Sequence, residues 1–244
     1  LTGRGAPGAQ GLIAGLLLLS FAVVASASTL QISPVTVDLS PGENASGITL
    51  RNPGDTPLYG QVRVFRWDQA NGDDVLTPTT DLAASPPLIQ IPAHSDQLIR
   101  LVRAIPAPPS GEQSYRLLID ELPAPDEPVA NGVTIRLRYS VPVFVEPAGT
   151  AGVPVLSWHL MHDNGHWVLR VDNSGSRRAQ IAAVQLLDGT GNPYDINKGL
   201  LGYALAGRGR QWQVTLPPDT APSGVMKIRA QVNALPAEAT LGTQ

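Results

Sequence analysis

NGVTIRLRYSVPVFVEP, residues 131–147, is the stretch from which the fold can be read. Apolar side chains stand at Val133, Ile135, Leu137, Tyr139, Val141 and Val143, every second position, with Thr134, Arg136, Arg138 and Ser140 between them. A period of two puts the apolar groups on one face of a single β-strand. Pro142 has no backbone N–H, so it belongs at a sheet edge, a bulge or a strand exit. Proteins shorten, charge or cover edge strands, because an open row of backbone donors and acceptors invites another chain to pair. Two readings follow. One is an ordinary half-buried sandwich strand; the other is a strand kept long and apolar in order to pair.

Working outward, short apolar segments alternate with turn strings. Leu30, Ile32, Val35, Val37 and Leu39 predict a first strand broken at Pro34, closed by Ser40-Pro41-Gly42-Glu43. Gly47–Asn52, Tyr59–Trp67, Leu88–Ile91, Gln97–Arg103 and Ser114–Leu122 follow, with turns at Asn52-Pro53-Gly54-Asp55 and Asn71-Gly72-Asp73. Together with the strand from Val133 these make a sandwich of about seven strands. Glu146–Gly152 is small and turn-prone, as a linker would be. Val155–Trp158, Trp167–Asp172, Gln180–Leu187, Gln211–Leu216 and Met226–Val232 predict a second, smaller sandwich, with a tail from Ala234 expected to fray. Glycine and proline number 24 and 23 and are spread throughout, which disfavours long helices. The expectation is an all-β chain of two immunoglobulin-like β-sandwich domains, residues 28–147 and 154–244, joined by a short linker at 148–153.

The N-terminal residues carry an address. Arg4 precedes an uncharged apolar run, Gly11–Val24, and Ala25-Ser26-Ala27 is a small-x-small cleavage signal. That layout predicts a secretory signal peptide, residues 1–27, with cleavage after Ala27; an uncleaved anchor is the rival reading. The remainder, about 217 residues, is long enough for two domains. Without Arg4, 16 basic residues face 20 acidic ones, a mild acidity that offers no field for nucleic acid. No later run is apolar for long enough to cross a bilayer, so stable membrane insertion is not expected. The chain has no cysteine, which excludes disulfides, thiol nucleophiles and cysteine-based zinc sites.

Several strings, in order, resemble those of periplasmic pilus-assembly chaperones of the chaperone–usher pathway, and of its archaic, Csu-type branch in particular. They are Ser85-Pro86-Pro87; Gln113-Ser114-Tyr115-Arg116-Leu117 running into Asp120-Glu121-Leu122-Pro123; and Arg138-Tyr139-Ser140-Val141-Pro142-Val143-Phe144. Val155-Leu156-Ser157-Trp158 and Gly202-Tyr203-Ala204-Leu205-Ala206-Gly207 continue the series. The resemblance implies a periplasmic protein whose partners are pilin subunits and an outer-membrane usher. It implies donor-strand complementation, in which the chaperone lends a strand to a subunit sandwich that lacks one. The donor strand would carry Val133, Ile135, Leu137 and Tyr139, with the first three entering the subunit groove. It also implies a cation for the subunit's C-terminal carboxylate. The better-known branch places that charge at positions held here by Thr36 and Pro142, whereas the archaic branch uses an arginine that Arg116 matches. Arg100 and Arg103 have the same chemistry in weaker context, and the plain reading of Arg116 is a surface arginine paired with a neighbouring acid. The open strand also allows self-association of free copies.

Other features carry less. His159, His162 and His166 would gather only on a helix, and Asp163-Asn164-Gly165 predicts a hairpin between them, so no metal site is expected. Asp120 and Glu121 are adjacent on a strand and point to opposite faces. No Gly-x-Ser-x-Gly or His-Glu-x-x-His string occurs, and no catalytic residue or cofactor is expected. Fold alone equally permits a secreted immunoglobulin-like adhesion or carbohydrate-binding module, with a secreted hydrolase ranked last.

Overall fold

Residues 30–125, 135–150, 152–216 and 226–242 are described by the computed structural model. The predicted signal peptide, 1–27, and Val133 lie outside the described residues. Among the described residues the chain is all β. Ten strands precede Pro147: β1 (Gln31–Ser33), β2 (Val37–Leu39), β3 (Ala45–Asn52), β4 (Leu58–Ala70), β5 (Asp73–Pro78), β6 (Leu82–Ser85), β7 (Leu88–Ile91), β8 (Ser95–Arg103), β9 (Gln113–Leu122) and β10 (Arg138–Val145). Seven follow Gly152: β11 (Leu156–Asp163), β12 (His166–Asn173), β13 (Ala179–Leu187), β14 (Pro193–Ala204), β15 (Arg208–Val214), β16 (Lys227–Val232) and β17 (Leu235–Thr240).

In the first domain the sheet β1-β3-β8-β6 packs on β2-β10-β9-β4-β5, with β7 added to β4. The alternation in β8 shows why: Ile99 and Leu101 are buried while Leu98, Arg100 and Val102 face outward. Their partners across the core include Leu117 and Ile119 from β9 and Val141 and Val143 from β10. The second domain packs β11-β12-β15 on β14-β13-β16-β17 around Leu169, Val171, Ile181 and Ile228. The β11–β12 hairpin turns at Asn164 and Gly165, with φ of 47° and 81°, the double positive φ that two-residue hairpins favour.

Strands outnumber the sequence expectation in both domains. β5 and β6 were not foreseen, nor was β14, and the tail expected to fray from Ala234 forms β17, paired along its length with β16. That pairing supplies the backbone partners that a free tail would lack. Each domain also braces its turns with one buried asparagine. Asn52 Nδ2 donates to the carbonyls of Thr56, Ile91 and Pro92 while its Oδ1 accepts from Gly54 N–H. Asn173 does the same with the Arg177 and Ala204 carbonyls and Gly175 N–H. Both positions precede a tight turn that backbone bonds alone leave unsatisfied.

The domains meet through a hydrophobic cluster of three aromatic rings, Trp67, Phe144 and Tyr203, with Leu205. Buried Gln69 bridges them, its Nε2 donating to Tyr203 O at 2.8 Å and its Oε1 accepting from Leu205 N–H at 2.9 Å. Arg178 of the second domain pairs with Glu112, at 2.6 Å, and with Asp38 of the first. The β4–β5 turn leans on β15, where Gln211 N–H donates to Gly72 O at 2.9 Å. A Cβ at Gly72, whose φ is +80°, would stand 2.5 Å from the Gln211 side chain, so glycine is required there by space and by backbone.

Candidate functional site

β10 has two unlike halves. It pairs antiparallel with β9 over its whole length, from Arg138 opposite Asp120 to Val145 opposite Gln113. On its other side β2 runs parallel, and only beside Val143–Val145. Arg138–Pro142 therefore have one strand neighbour among the described residues. Pro142 stands where the second neighbour ends, the position a residue without an N–H tolerates.

The apolar row divides at the same place. Val141, Val143 and Val145 are buried in the sandwich core, and Tyr139 packs partly against it, its hydroxyl donating to Glu121 Oε1 at 3.3 Å. Leu137 and Ile135 continue the alternation beyond the core, 40 % and 78 % exposed. Backbone pairing persists as far as Leu137, whose carbonyl accepts from Glu121 N–H at 3.0 Å. Its own N–H donates to Glu121 Oε2 at 3.2 Å. Leu137 is thus bonded to β9 although it lies beyond the core, and Ile135 precedes it with its side chain largely exposed. Arg138 turns to the other face and pairs with Asp120, which also takes Arg63 at 2.7 Å.

Arg116 lies opposite Pro142 in the β9–β10 ladder. Val37 sits beside Val143, so Thr36, Pro142 and Arg116 form one row across three strands. The cation absent at the first two positions is present at the third. Its guanidinium carbon lies 3.6 Å from the centroid of the Trp67 ring and 5.5 Å from that of Tyr203. The Arg116 side chain has neither ion pair nor hydrogen bond to the described residues. Burial pushes its pKa below the ordinary arginine value, with the Asp74 carboxylate acting in the opposite direction. An arginine so placed stays cationic and presents a planar fork suited to a carboxylate. Close by, Thr36, Asp38, Arg178, Tyr203 and Leu235 line an open cleft of about 470 Å³ between the domains.

The other sequence candidates lie elsewhere. Arg100 is exposed on β8, in the opposite sheet of the sandwich. Arg103 is buried and donates to the carbonyls of Glu43, Pro106 and Ala107, so its fork is already occupied by the loop it holds. No group of three or more metal-ligating side chains occurs among the described residues. His162 instead packs edge-on against Trp167. No helix of the described residues is long and apolar enough to cross a membrane. Sequence reasoning missed Trp67, Tyr203 and Arg178, since the pairing of residues from β4, β14 and the loop before β13 exists only in three dimensions.

The family model described as "Pili and flagellar-assembly chaperone, PapD N-terminal domain" matches residues 29–151. Among curated proteins none matches the chain. Similar solved structures include the CsuC–CsuE chaperone–tip adhesion subunit pre-assembly complex from archaic chaperone–usher Csu pili of Acinetobacter baumannii. That match has 24% identity, covers 87% of this chain and 98% of that one, and has a TM-score of 0.68. The YadV chaperone matches at 20% identity, over 87% and 99% of the two chains, with a TM-score of 0.61. A complex of SafA pilin with the SafB chaperone from Salmonella enterica matches at 18%, over 87% and 94%, with a TM-score of 0.57. At these identities the likeness speaks for the fold. Because the family model covers half the chain, and because the half it covers is the sandwich that carries Arg116 and the half-open β10, the chain belongs to the pili and flagellar-assembly chaperones.

Proposed function

We propose that this chaperone binds pilus subunits in the periplasm by donor-strand complementation and delivers them to an outer-membrane usher. The observation that carries this reading is the pair of exposed apolar residues Ile135 and Leu137 directly before β10, with Leu137 still bonded to Glu121 and Arg138–Pro142 having β9 as their one strand neighbour among the described residues. A subunit sandwich lacking a strand has the complementary defect, a row of unpaired backbone beside an apolar groove. The donor segment with Val133, Ile135 and Leu137 fills that groove, and Tyr139 marks the point where the row returns to the chaperone's own core. Each aliphatic side chain buried in this way contributes roughly 1.5–3 kcal/mol before ordering costs.

Arg116 serves as the anchor for the subunit's C-terminal carboxylate. Its fork has no acid of its own, which supports this role over that of a paired surface arginine. The position of the cation in the Tyr115-Arg116-Leu117 string, rather than at Thr36 or Pro142, favours the archaic branch, in keeping with the Csu pilus complex among the similar structures. That complex and the SafA–SafB one are described as chaperone with subunit, which supports subunits as the class of partner. No bond is made or broken in this cycle. The chaperone supplies a strand, a charge and shelter from water. Export follows from the apolar run Gly11–Val24 and the Ala25-Ser26-Ala27 signal.

The test is the double variant Ile135→Asp/Leu137→Asp. It should fold and be exported but yield no soluble one-to-one complex with a co-expressed subunit, because charges are forced into an apolar groove. A stable complex with this variant would mean that the donor strand lies elsewhere.

A further inference from the structure

Arg116 is shielded by rings from both domains. Trp67 of the first domain lies under its guanidinium at 3.6 Å, and Tyr203 of the second stands 5.5 Å away. The two rings meet edge to face, with centroids 5.4 Å apart at 82°, and Phe144 backs Trp67 at 5.9 Å. Trp67 is 2 % exposed, yet its Nε1–H has no acceptor among the described residues. A buried donor left without a partner is unfavourable, and an apolar side chain at this place would carry none. What indole offers in exchange is the best aromatic face for a cation. On that face rests Arg116, the arginine of the cluster with no carboxylate within ion-pair distance among the described residues.

We propose that Trp67 and Tyr203 are positioning residues for the anchor. The indole face fixes the plane of the Arg116 guanidinium, and Tyr203, brought in by the second domain, closes the box and leaves the edge of the fork to the subunit's carboxylate. The anchor is then a composite of both domains, although its charge comes from the first alone. This inference rests on the anchor role of Arg116 proposed above.

The experiment co-expresses the full chain with a pilin subunit encoded in the same genome. The subunit is used in its native form and with a four-residue C-terminal extension that carries the carboxylate away. The quantity read is the ratio of complex half-lives, native over extended. Trp67→Leu should lower this ratio by roughly tenfold, the scale of a desolvated cation–π contact. Trp67→Phe keeps a ring face and should restore most of it. In an Arg116→Ala background, Trp67→Leu should change nothing further, because it acts through Arg116. If Arg116→Ala leaves the ratio at the wild-type value, the anchor reading itself falls. If Arg116→Ala abolishes the ratio while Trp67→Leu leaves it intact, the anchor stands and the aromatic box is overturned. Equal losses for native and extended subunits, unrescued by Trp67→Phe, would also overturn the box, since they mark damage to the fold.

Discussion

Arg116 and Arg178 lie against the same aromatic cluster and have opposite electrostatic fates. Each guanidinium is 3.6 Å from a ring centroid, Arg116 over Trp67 and Arg178 over Phe144. Arg178 is neutralised by Glu112, whose side chain is 2 % exposed, and by Asp38. Arg116 meets no acid within ion-pair distance among the described residues. One cation is used up in holding the domains together, and the other is left available. On the function proposed above, stability and capture fall to different members of a pair with identical chemistry, stacked on neighbouring rings.

The comparison breaks hardest at Arg178. Arg178→Ala leaves the Glu112 carboxylate buried without its cation, holding only the backbone N–H of residue 178, and loss of a buried ion-pair partner costs up to about 3–5 kcal/mol. At this chain length that is a fall in melting temperature of roughly 10 °C, read by calorimetry on the free chaperone. A melting temperature unchanged by the substitution would show that Arg178 is no structural cation.

Arg116→Ala should do the reverse. Melting of the free protein should stay within a few degrees of wild type, since only ring contacts are lost. Subunit capture, measured by co-purification, should fall by the roughly 1.5–3 kcal/mol of a charge-assisted bond. Arg116→Lys should fall between, keeping the charge without the fork, and Thr36→Ala should bind as wild type does. Equal losses of stability in Arg116→Ala and Arg178→Ala would erase the distinction between them.

The smallest effect belongs to a third cross-domain arginine, Arg208, which pairs with Asp68 at 2.6 Å. Its hydrogen bond holds the Asp68 carboxyl below the ordinary value of 3.8, against a weaker pull from burial. A depressed folded-state pKa gives stability that is present above the unfolded value and lost as pH falls through the folded one. Asp68→Asn should therefore melt slightly below wild type at neutral pH, and the two curves should begin to draw together below about pH 4 and meet once pH has fallen through the depressed folded-state value. With the Asp68 side chain 51 % exposed, the gap should be no more than a degree or two. A gap that does not narrow as pH falls below about 4 would assign it to something other than this carboxylate.

How much of this was legible in the sequence depended on what each residue packs against. β8 alternates cleanly because only one of its faces meets a core, whereas Leu117–Ile119 of β9 and Val141–Val145 of β10 are buried on both faces. β5 was invisible because all six of its residues are exposed, so Asp73–Pro78 has no apolar period to detect. β14 hides behind Gly199, Gly202 and the register shifts of its partner β13, and β17 was mistaken for a loose tail because Pro236 and two alanines give it little apolar weight. At the site, Ile135 and Leu137 were legible from alternation, while Arg116 stood out only through family resemblance. Alternation assigns a side chain to a face but does not say whether that face is covered. Arg178, inside the polar string Ser174-Gly175-Ser176-Arg177-Arg178, looks like an exposed loop residue until the second domain is docked on Glu112.

The partial cover that β2 gives β10 has one further consequence. On the function proposed above, a strand arriving along the half of β10 that has one neighbour among the described residues would advance only to Pro142, because beyond it β2 already holds the ladder at Val143–Val145. The edge is therefore a ruler with a fixed zero. An incoming chain cannot slide by two residues to bury a few more side chains, however apolar it is, and its end is delivered to the row where Arg116 lies. Length as well as composition would then decide which chains fit, a form of selection that costs the chaperone no additional contact.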